Sequence, residues 1–368
     1  MFALRELCAR PGRGDPDWTR VCSATARRRR YREGVVAFGG ALGSFRRRGS
    51  VSDESSEPEV AVDGARPHES AHPSDPARAA DDAIPDLDWR VFPEGAEHSM
   101  FEAPSGMLAR VALGAPSAPR IVLVPGATGS KEDFVLMMPL FAKAGYRVES
   151  FDLAGQYESW RAGPWNLRPP RQRYDERLFL DDFLAVLDDG TAPAHVLGYS
   201  FAGTLAELAL LERPERFASL TLLSAPPEPG QSFRGVKRIG PISSFTSPRQ
   251  GAGLMLWGIR NNLNRVPPRR LEFVRDRFAL TRRESVDDII ALMMKTPDLR
   301  AELAASTIPK LVAVGEHDLW PRELHERFAR EIGAHLSVYP TGHSPCETAP
   351  HQLVRDMLRL FEATDLTP

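Results

Sequence analysis

The hexapeptide Gly198-Tyr199-Ser200-Phe201-Ala202-Gly203 stands between an apolar run, His195–Leu197, and a stretch with helical periodicity, Phe201–Leu211. It nearly fits the G-x-S-x-G pattern, in which a nucleophilic serine occupies a sharp turn between a strand and a helix. Residues two positions from the serine must be small because the strand and the helix approach closely there. Gly198 meets this condition, Ala202 replaces the usual second glycine, and Gly203 follows it directly. Short motifs recur by chance, so the strand–turn–helix context is what favours a nucleophilic Ser200 on such an elbow.

Outward from this elbow, short apolar runs alternate with amphipathic stretches of about 10 to 15 residues. This alternation predicts parallel βαβ units and a sheet covered by helices on both faces, hence the α/β class. The predicted strands are His98–Ala103, Met107–Leu113, Ile121–Val124, Arg147–Phe151, His195–Leu197, Ser219–Leu223, Lys310–Val314 and His335–Tyr339. The predicted helices are Lys131–Ala144, Asp175–Leu187, Phe201–Leu211, Arg322–Ile332 and Pro350–Glu362.

The alternation is interrupted over residues 226–307, which we interpret as a helical cap inserted between two strands. Helical stretches occur around Leu254–Asn262, Arg269–Leu280 and Ser285–Met294. Between positions 231 and 283 the chain holds 12 Lys or Arg residues against 2 acidic residues. This excess is typical of solvated helix faces in an arginine-rich chain, which here has 42 Arg and 5 Lys. A positive lid that attracts an anionic substrate is the alternative.

A serine hydroxyl is a poor nucleophile at neutral pH unless a base removes its proton. His343 follows the last predicted strand and is the predicted base. The acid that orients this base should follow the preceding strand, and Asp318 does so. Glu316 and Glu228 are rival acids, and Glu228 follows the strand after the elbow. The chain order Ser, Asp, His favours Asp318.

Attack on a carbonyl places negative charge on its oxygen, so an acyl-transfer site needs hydrogen-bond donors there. The predicted donors are the backbone N–H groups of Phe201, directly after the nucleophile, and of Ala127 in the loop 125–130. A loop of small residues before a helix could instead bind phosphate. This loop lacks the G-K-[ST] of a P-loop and the spacing of a dinucleotide fingerprint, so the oxyanion role is favoured.

Residues 90–365 resemble the α/β-hydrolase family with a helical cap. The similarity rests on the elbow at Ser200, on Asp318 and His343, on the Pro125-Gly126 loop, and on Asp152–Ser159, which follows a D-x-x-G-x-x-x-S pattern. The resemblance implies a mostly parallel eight-stranded sheet and a catalytic triad of Ser200, His343 and Asp318. It implies no particular substrate. Pro125 stands where a histidine is usual, which leaves the backbone donor intact. A serine nucleophile disfavours haloalkane dehalogenase and epoxide hydrolase chemistry, which in this family uses an aspartate.

Residues 1–88 differ in composition from the rest of the chain. Residues 1–50 hold 12 Arg, no Lys and 4 acidic residues, whereas residues 51–90 hold 11 acidic residues and 3 Arg. The net charge of −2 therefore conceals two opposite blocks. Such a segment does not bury enough apolar surface to offset chain entropy, so 1–88 is expected to be a disordered tail. The other expected divisions are the two parts of the hydrolase core, 89–225 and 308–368, and the cap, 226–307.

The cysteines and the hydropathy limit the compartment. Three cysteines, Cys8, Cys22 and Cys346, are too few for a disulfide framework, and Cys346 is interpreted as a packing residue. No apolar run reaches the roughly 18 residues of a transmembrane helix. We therefore expect a cytoplasmic protein. An arginine cluster before the uncharged segment Gly34–Phe45 loosely resembles a twin-arginine export signal, which is the alternative.

The sequence thus predicts a hydrolase that cleaves a carboxylic ester or a related acyl compound through an acyl-enzyme. The expected partner is a small acyl substrate, anionic if the positive lid is real, and no nucleic acid, metal or cofactor is expected. Met255, Trp257 and Met293 on the cap could wall an apolar acyl pocket, and plain packing within the cap explains their spacing equally well. Open alternatives are acyl transfer, carbon–carbon bond hydrolysis, a cofactor-free perhydrolase reaction with the same triad, and a non-enzymatic ligand-binding protein. The oligomeric state is left open.

Overall fold

The computed structural model describes residues 68–69, 75–232 and 266–365, all within one compact unit. Its strands are β1 (His68–Glu69), β2 (Glu97–Ala103), β3 (Gly106–Leu113), β4 (Arg120–Val124), β5 (Arg147–Phe151), β6 (Ala194–Tyr199), β7 (Phe217–Leu223), β8 (Lys310–Gly315) and β9 (His335–Tyr339). They form one sheet in the order β1-β9-β8-β7-β6-β4-β5-β3-β2. Strands β2 to β9 confirm the predicted eight-stranded sheet, and the two-residue β1 extends its edge by pairing in parallel with β9.

The sheet is parallel except at the end that holds β2 and β3. These two strands form the predicted antiparallel hairpin, and β3 also runs antiparallel to β5. Strands β4 to β9 pair in parallel. Every residue of β4, β6 and β8 is buried, as expected for parallel strands that helices cover on both faces. The α/β fold class is therefore confirmed.

The helices flank the sheet, and the sheet separates two layers of hydrophobic core. In the described parts of the chain they are α1 (Pro76–Asp82), α2 (Met138–Lys143), α3 (Glu176–Asp188), α4 (Phe201–Glu212), α5 (Pro268–Leu280), α6 (Arg283–Met293), α7 (Arg300–Ala305), α8 (Arg322–Glu331), α9 (Pro345–Thr348) and α10 (Pro350–Asp365). Successive side chains of a strand point to opposite faces of its sheet. On β4, Ile121 and Leu123 belong to one hydrophobic cluster, whereas Val122 and Val124 belong to the other.

The prediction of one continuous helix over Lys131–Ala144 is wrong. Residues Lys131–Phe134 form a 3₁₀ turn, and α2 begins only at Met138. Pro139 explains the break, because proline fits the first turn of a helix but clashes with the preceding turn in a helix interior. The amphipathic pattern did identify the buried face, since Phe141 is fully buried.

Residues 75–88, which we assigned to a disordered tail, are folded against the closing helix. Asp75 is the N-cap of α1. Asp81 is buried and accepts hydrogen bonds from the backbone N–H groups of His351 (2.8 Å) and Gln352 (3.2 Å) at the start of α10. A carboxylate at this place also complements the helix dipole. The folded unit therefore includes 75–88. The rest of the expected tail, the export-signal segment included, lies outside the described residues apart from β1.

Residues 226–307, called the insertion below, contain helices where the sequence predicted them, as far as the structure describes this segment. Helices α5 and α6 coincide with the second and third predicted stretches, and α7 leads into β8. The first predicted stretch, Leu254–Asn262, lies outside the described residues, as do Met255 and Trp257. Met293 is 6% exposed and belongs to the same hydrophobic cluster as Ile289 on α6. The predicted pocket of Met255, Trp257 and Met293 therefore stays a prediction, since the structure describes one of its three residues.

Glu207 on α4 is a buried carboxylic acid, and its Oε1 atom has no hydrogen-bond partner among the described residues. Burial raises the pKa of Glu207 from 4.5 to about 8, because the charged form loses its hydration. A pKa that is raised in the folded state gives stability that is complete below the unfolded pKa and is lost as the pH rises through the folded pKa. We therefore expect Glu207→Gln to increase the free energy of unfolding by about 2–4 kcal/mol at about pH 9, and to change it little at about pH 4.5.

Urea denaturation of both proteins at the two pH values measures this difference. Glu323→Gln on the exposed face of α8 is the matched control, and it should show no such dependence on pH. A stabilisation by Glu207→Gln that is equal at both pH values would contradict the prediction.

Candidate active site

Ser200 joins β6 to α4 in a backbone conformation that residues with a side chain rarely adopt, with φ of 53° and ψ of −119°. A hydrogen bond from its N–H to the Leu223 carbonyl (2.8 Å) holds this turn. A Cβ at Gly198 would lie 2.4 Å from the Ala202 carbonyl oxygen, so the close approach of β6 and α4 excludes a side chain there. A Cβ at Gly203 would lie 2.4 Å from the Cβ atom of Ala225, so a side chain there is excluded by the packing of α4 against the segment that follows β7.

Three of the predicted site residues meet at the carboxyl ends of parallel strands. Ser200 follows β6, Asp318 lies just after β8, and His343 lies just after β9. The Nε2 atom of His343 lies 3.2 Å from the Oγ atom of Ser200, and its Nδ1 atom is hydrogen-bonded to Oδ1 of Asp318. Because parallel strands end at one edge of the sheet, residues far apart in sequence form one hydrogen-bonded chain.

The environment of Asp318 favours its charged form. Burial alone would raise the pKa of this carboxyl, but the neighbouring His343 and His325 hold the pKa well below its usual range. The carboxylate is therefore ionised at neutral pH and can stabilise a proton that His343 accepts. The rings of Tyr199 and Trp320 lie beside His343, with centroid distances of 5.5 Å and 5.7 Å. The His343 side chain is 23% exposed, so a ligand can reach it.

The rival acids lie elsewhere. Glu228 follows β7, and its carboxylate is bound by Arg327 at 2.5 Å. Glu316 precedes Asp318 by two residues and is exposed, and its N–H donates to the Tyr339 carbonyl. The hydrogen bond to His343 is made by Asp318.

The two predicted oxyanion donors lie beside the elbow. Gly126, the neighbour of Ala127, packs so closely on the elbow that a Cβ there would lie 3.0 Å from the Cβ of Ser200. Phe201 is the first residue of α4. Neither the Ala127 N–H nor the Phe201 N–H donates a hydrogen bond to another described residue. Both groups are therefore available to a ligand oxygen.

An ion cluster around the buried Lys131 lies directly after the loop 125–130. Lys131, 1% exposed, has its Nζ atom 3.2 Å from Asp152 and 2.6 Å from Glu158. Its backbone N–H also donates to Asp152 at 2.8 Å. Burial raises the pKa of the Asp152 carboxyl, and the Lys131 ammonium opposes that rise. The acid of the D-x-x-G-x-x-x-S pattern thus ties the loop after β4 to the loop after β5.

A second buried ion cluster joins the insertion to two loops of the site. Arg277 and Arg270 lie 2.5 Å and 2.8 Å from the same Oδ1 atom of Asp133, in the 3₁₀ turn after the loop 125–130. Arg270 also pairs with Glu347, four residues after His343. Both arginine side chains are at most 6% exposed. These cations of the insertion are therefore neither solvated nor free to attract a substrate.

The arginine cluster left a signal in the sequence that the charge count concealed. Arg270, Phe273 and Arg277 are the buried residues of α5. Positions i, i+3 and i+7 share one helix face, so two arginines occupy places where apolar residues are usual. A buried arginine requires a buried acidic partner. The pattern on α5 therefore predicts that such partners exist, but it does not indicate that Asp133 is one of them.

The described residues also bear on metal binding, thiol reactivity and membrane insertion. In the described ranges no three or more His, Cys, Asp or Glu side chains are grouped so that they could hold a metal ion. Cys346 is buried, which raises the pKa of its thiol, and a protonated thiol is unreactive. Among the helices that the structure describes, none is both long and apolar enough to cross a membrane.

The chain is similar to hydrolases in sequence and in structure. It is 29% identical over 154 residues to bifunctional epoxide hydrolase 2 of Rattus norvegicus, a match that covers 41% of this chain and 27% of that protein. The chain thus spans about a quarter of the length of that curated relative. A hydrolase structure from Pseudomonas aeruginosa superposes with a TM-score of 0.58 at 24% identity, covering 72% of this chain and 98% of that one. The enol-lactonase structure from Burkholderia xenovorans superposes with a TM-score of 0.54 at 18% identity, covering 72% of this chain and 100% of that one.

Similarity at such identities establishes the fold, and the family follows from a broader match. The model of the alpha/beta hydrolase family matches residues 121–356. This range includes more than half of the chain and contains Ser200, Asp318 and His343. The chain therefore belongs to the alpha/beta hydrolase family.

Proposed function

We propose that this hydrolase cleaves carboxylic esters of small acyl substrates through an acyl-enzyme formed on Ser200. The observation that carries the proposal is the hydrogen-bonded chain from Ser200 through His343 to Asp318, with the serine on a strained turn. An imidazole that accepts from a hydroxyl on one side and faces a buried carboxylate on the other is the arrangement that activates serine for acyl transfer.

The reaction would proceed in two halves. As the Ser200 Oγ attacks the acyl carbon, His343 Nε2 takes the hydroxyl proton, and the Phe201 and Ala127 N–H groups stabilise the charged carbonyl oxygen. Collapse of the tetrahedral intermediate expels the alcohol, which receives the proton from His343. Water then attacks the acyl-enzyme, His343 takes its proton, and the proton returns to Ser200 as the carboxylic acid leaves. Asp318 keeps the proton of the neutral imidazole on Nδ1 throughout.

The name of the rat relative raises the question of epoxide opening. In this family epoxide opening uses an aspartate nucleophile. The elbow of this chain carries Ser200 in place of that aspartate. Acyl transfer, carbon–carbon bond hydrolysis and a perhydrolase reaction would use the same three residues with a different acceptor or substrate. Acyl transfer and perhydrolysis need an acceptor other than water, and carbon–carbon cleavage needs a substrate that stabilises a carbanion leaving group. Ester hydrolysis needs neither, and we therefore prefer it.

Covalent labelling with a fluorophosphonate, followed by peptide mass spectrometry, tests the activated nucleophile. We expect one label per folded chain, on the peptide that contains Ser200, because only a serine with a base at its hydroxyl reacts quickly. Heat-unfolded protein is the control and should remain unlabelled. A label on another residue, or equal labelling of the unfolded chain, would refute the proposal, as would hydration of styrene oxide that persists in Ser200→Ala.

A further inference from the structure

Asp318 lies between two histidines, and the proposed mechanism uses only one of them. Its Oδ1 atom accepts hydrogen bonds from His343 and from the Leu319 N–H (2.6 Å). Its Oδ2 atom lies 3.1 Å from the Nε2 atom of His325, at ion-pair distance but without the alignment of a hydrogen bond. The side chains of Asp318 and His325 are both 1% exposed. A buried carboxylate oxygen thus has a single nitrogen donor within reach among the described residues.

We propose that His325 is a positioning residue that fixes the orientation and the basicity of Asp318, and through it the proton affinity of the base His343. The inference rests on the proposed function, since it assigns His343 and Asp318 their roles. His325 would act by directing its Nε2–H group at Oδ2 of Asp318. The contacts described for its ring are with Asp318 and Trp320.

The fold places His325 rigidly. It lies on the first turn of α8, which begins four residues after Asp318, and it is fully buried. The Trp320 ring makes edge-to-face contacts with the rings of both His325 (6.1 Å) and His343 (5.7 Å). The Trp320 indole N–H donates to the Ser232 carbonyl, which anchors the ring. One tryptophan therefore packs against both imidazoles that face the same carboxylate.

The contacts of His325 favour one tautomer of its ring. Its Nδ1 atom is buried and has no hydrogen-bond partner in the described ranges. An N–H at Nδ1 would be a buried donor without an acceptor. The tautomer that fits these contacts therefore carries its N–H on Nε2, directed at Asp318. The titratable groups that act on Asp318 are His343 and His325.

Loss of this contact should raise the pH at which His343 becomes available as a base. An N–H group at 3.1 Å from Oδ2 stabilises negative charge on that oxygen, so it weakens the attraction of Asp318 for a proton on His343. Without the contact, Asp318 would hold the protonated imidazole more firmly. The base would then become available only at higher pH, and the carboxylate would be less well oriented.

The experiment compares His325→Leu, which cannot donate, with His325→Gln, which retains an amide donor near the position of Nε2. In the full-length protein we expect His325→Leu to move the acidic limb of the kcat/KM profile for p-nitrophenyl acetate up by roughly half a pH unit or more. We expect kcat to fall about 10- to 100-fold with KM nearly unchanged, because orientation rather than binding is lost. His325→Gln should retain the wild-type limb. Phe328→Leu, also buried on α8, controls for a packing defect and should leave the limb in place.

A readout without substrate separates this inference from the proposed function. The proton between His343 and Asp318 should give a far-downfield ¹H NMR resonance, and His325→Leu should shift the pH at which it titrates, whatever the enzyme hydrolyses. If ester turnover fails while this shift occurs, the positioning role stands and the substrate is wrong. Unchanged titration and an unchanged limb in His325→Leu would overturn the inference. If His325→Leu does not fold, a displaced limb in His325→Gln, equal to that in the shorter His325→Asn, would overturn it.

Discussion

Ser200→Ala is expected to reduce the turnover of p-nitrophenyl esters by about 10⁴-fold or more. The substitution removes the Oγ atom that lies 3.2 Å from His343 Nε2 and that would carry the acyl group. Alanine keeps the Cβ atom, so the turn between β6 and α4 should persist and the loss should be chemical. A residual rate is expected from direct water attack assisted by the Ala127 and Phe201 donors. Initial rates with acetyl, butyryl and octanoyl esters would measure the loss and show which chain length the site accepts.

Ser344→Ala is the matched control for this loss. Ser344 follows His343 directly, and its hydroxyl is 2.7 Å from the Tyr199 hydroxyl, so it belongs to the same neighbourhood. It has no place in the proposed acyl transfer, and its removal should change kcat by less than about tenfold. Equal turnover by Ser200→Ala and the wild-type enzyme would refute the acyl-enzyme proposal and point to a different nucleophile.

Asp133→Asn is expected to reduce the free energy of unfolding by about 3–5 kcal/mol. The carboxylate is 2% exposed and lies within ion-pair distance of Arg270 and Arg277. Although burial opposes ionisation, these two cations hold the pKa of Asp133 below its usual value. Removing its charge would leave two buried guanidinium groups with Glu347 as the one remaining acid of the cluster. Chemical denaturation monitored by tryptophan fluorescence measures the change.

Asp276→Asn on α5, the helix that carries Arg270 and Arg277, provides the comparison. Asp276 pairs with Arg90, but its side chain is 62% exposed, and exposed pairs contribute less than about 1 kcal/mol. The substitution is chemically identical, so the difference between the two variants isolates the effect of burial. A loss in Asp133→Asn no larger than in Asp276→Asn would contradict the view that the insertion is anchored by this cluster.

The cluster also has a consequence for the site. Arg270 bridges Asp133, which follows the loop 125–130, and Glu347, which follows His343. Any displacement of α5 would therefore act on the loop of the proposed oxyanion donor and on the loop of the proposed base at once. The Asp133→Asn variant should lose ester turnover under conditions in which it is still folded.

Much of the fold was predictable because its signals are local. Alternation of apolar runs and amphipathic stretches follows from the geometry of strands and helices, and it located every strand from β2 to β9. The break before Pro139 was missed, although its signal is local too, since proline restricts the positions it can occupy in a helix. Residues 75–88 were missed because their composition is polar, whereas their stability comes from contacts such as those of Asp81 with the start of α10.

The sequence by itself determined the α/β class, the elbow at Ser200 and the chain order of the candidate site residues, because these depend on spacing along the chain. Only the tertiary structure decided that Asp318 has His325 on its second oxygen and that Arg270 and Arg277 are buried ion-pair partners. Spacing along the chain showed that both arginines share one face of α5, but not that Asp133 and Glu347 lie opposite that face, since these partners are 137 and 77 positions from Arg270. Asp318 and His325 are close in sequence, but whether their side chains meet depends on how α8 packs against the sheet, which spacing does not determine.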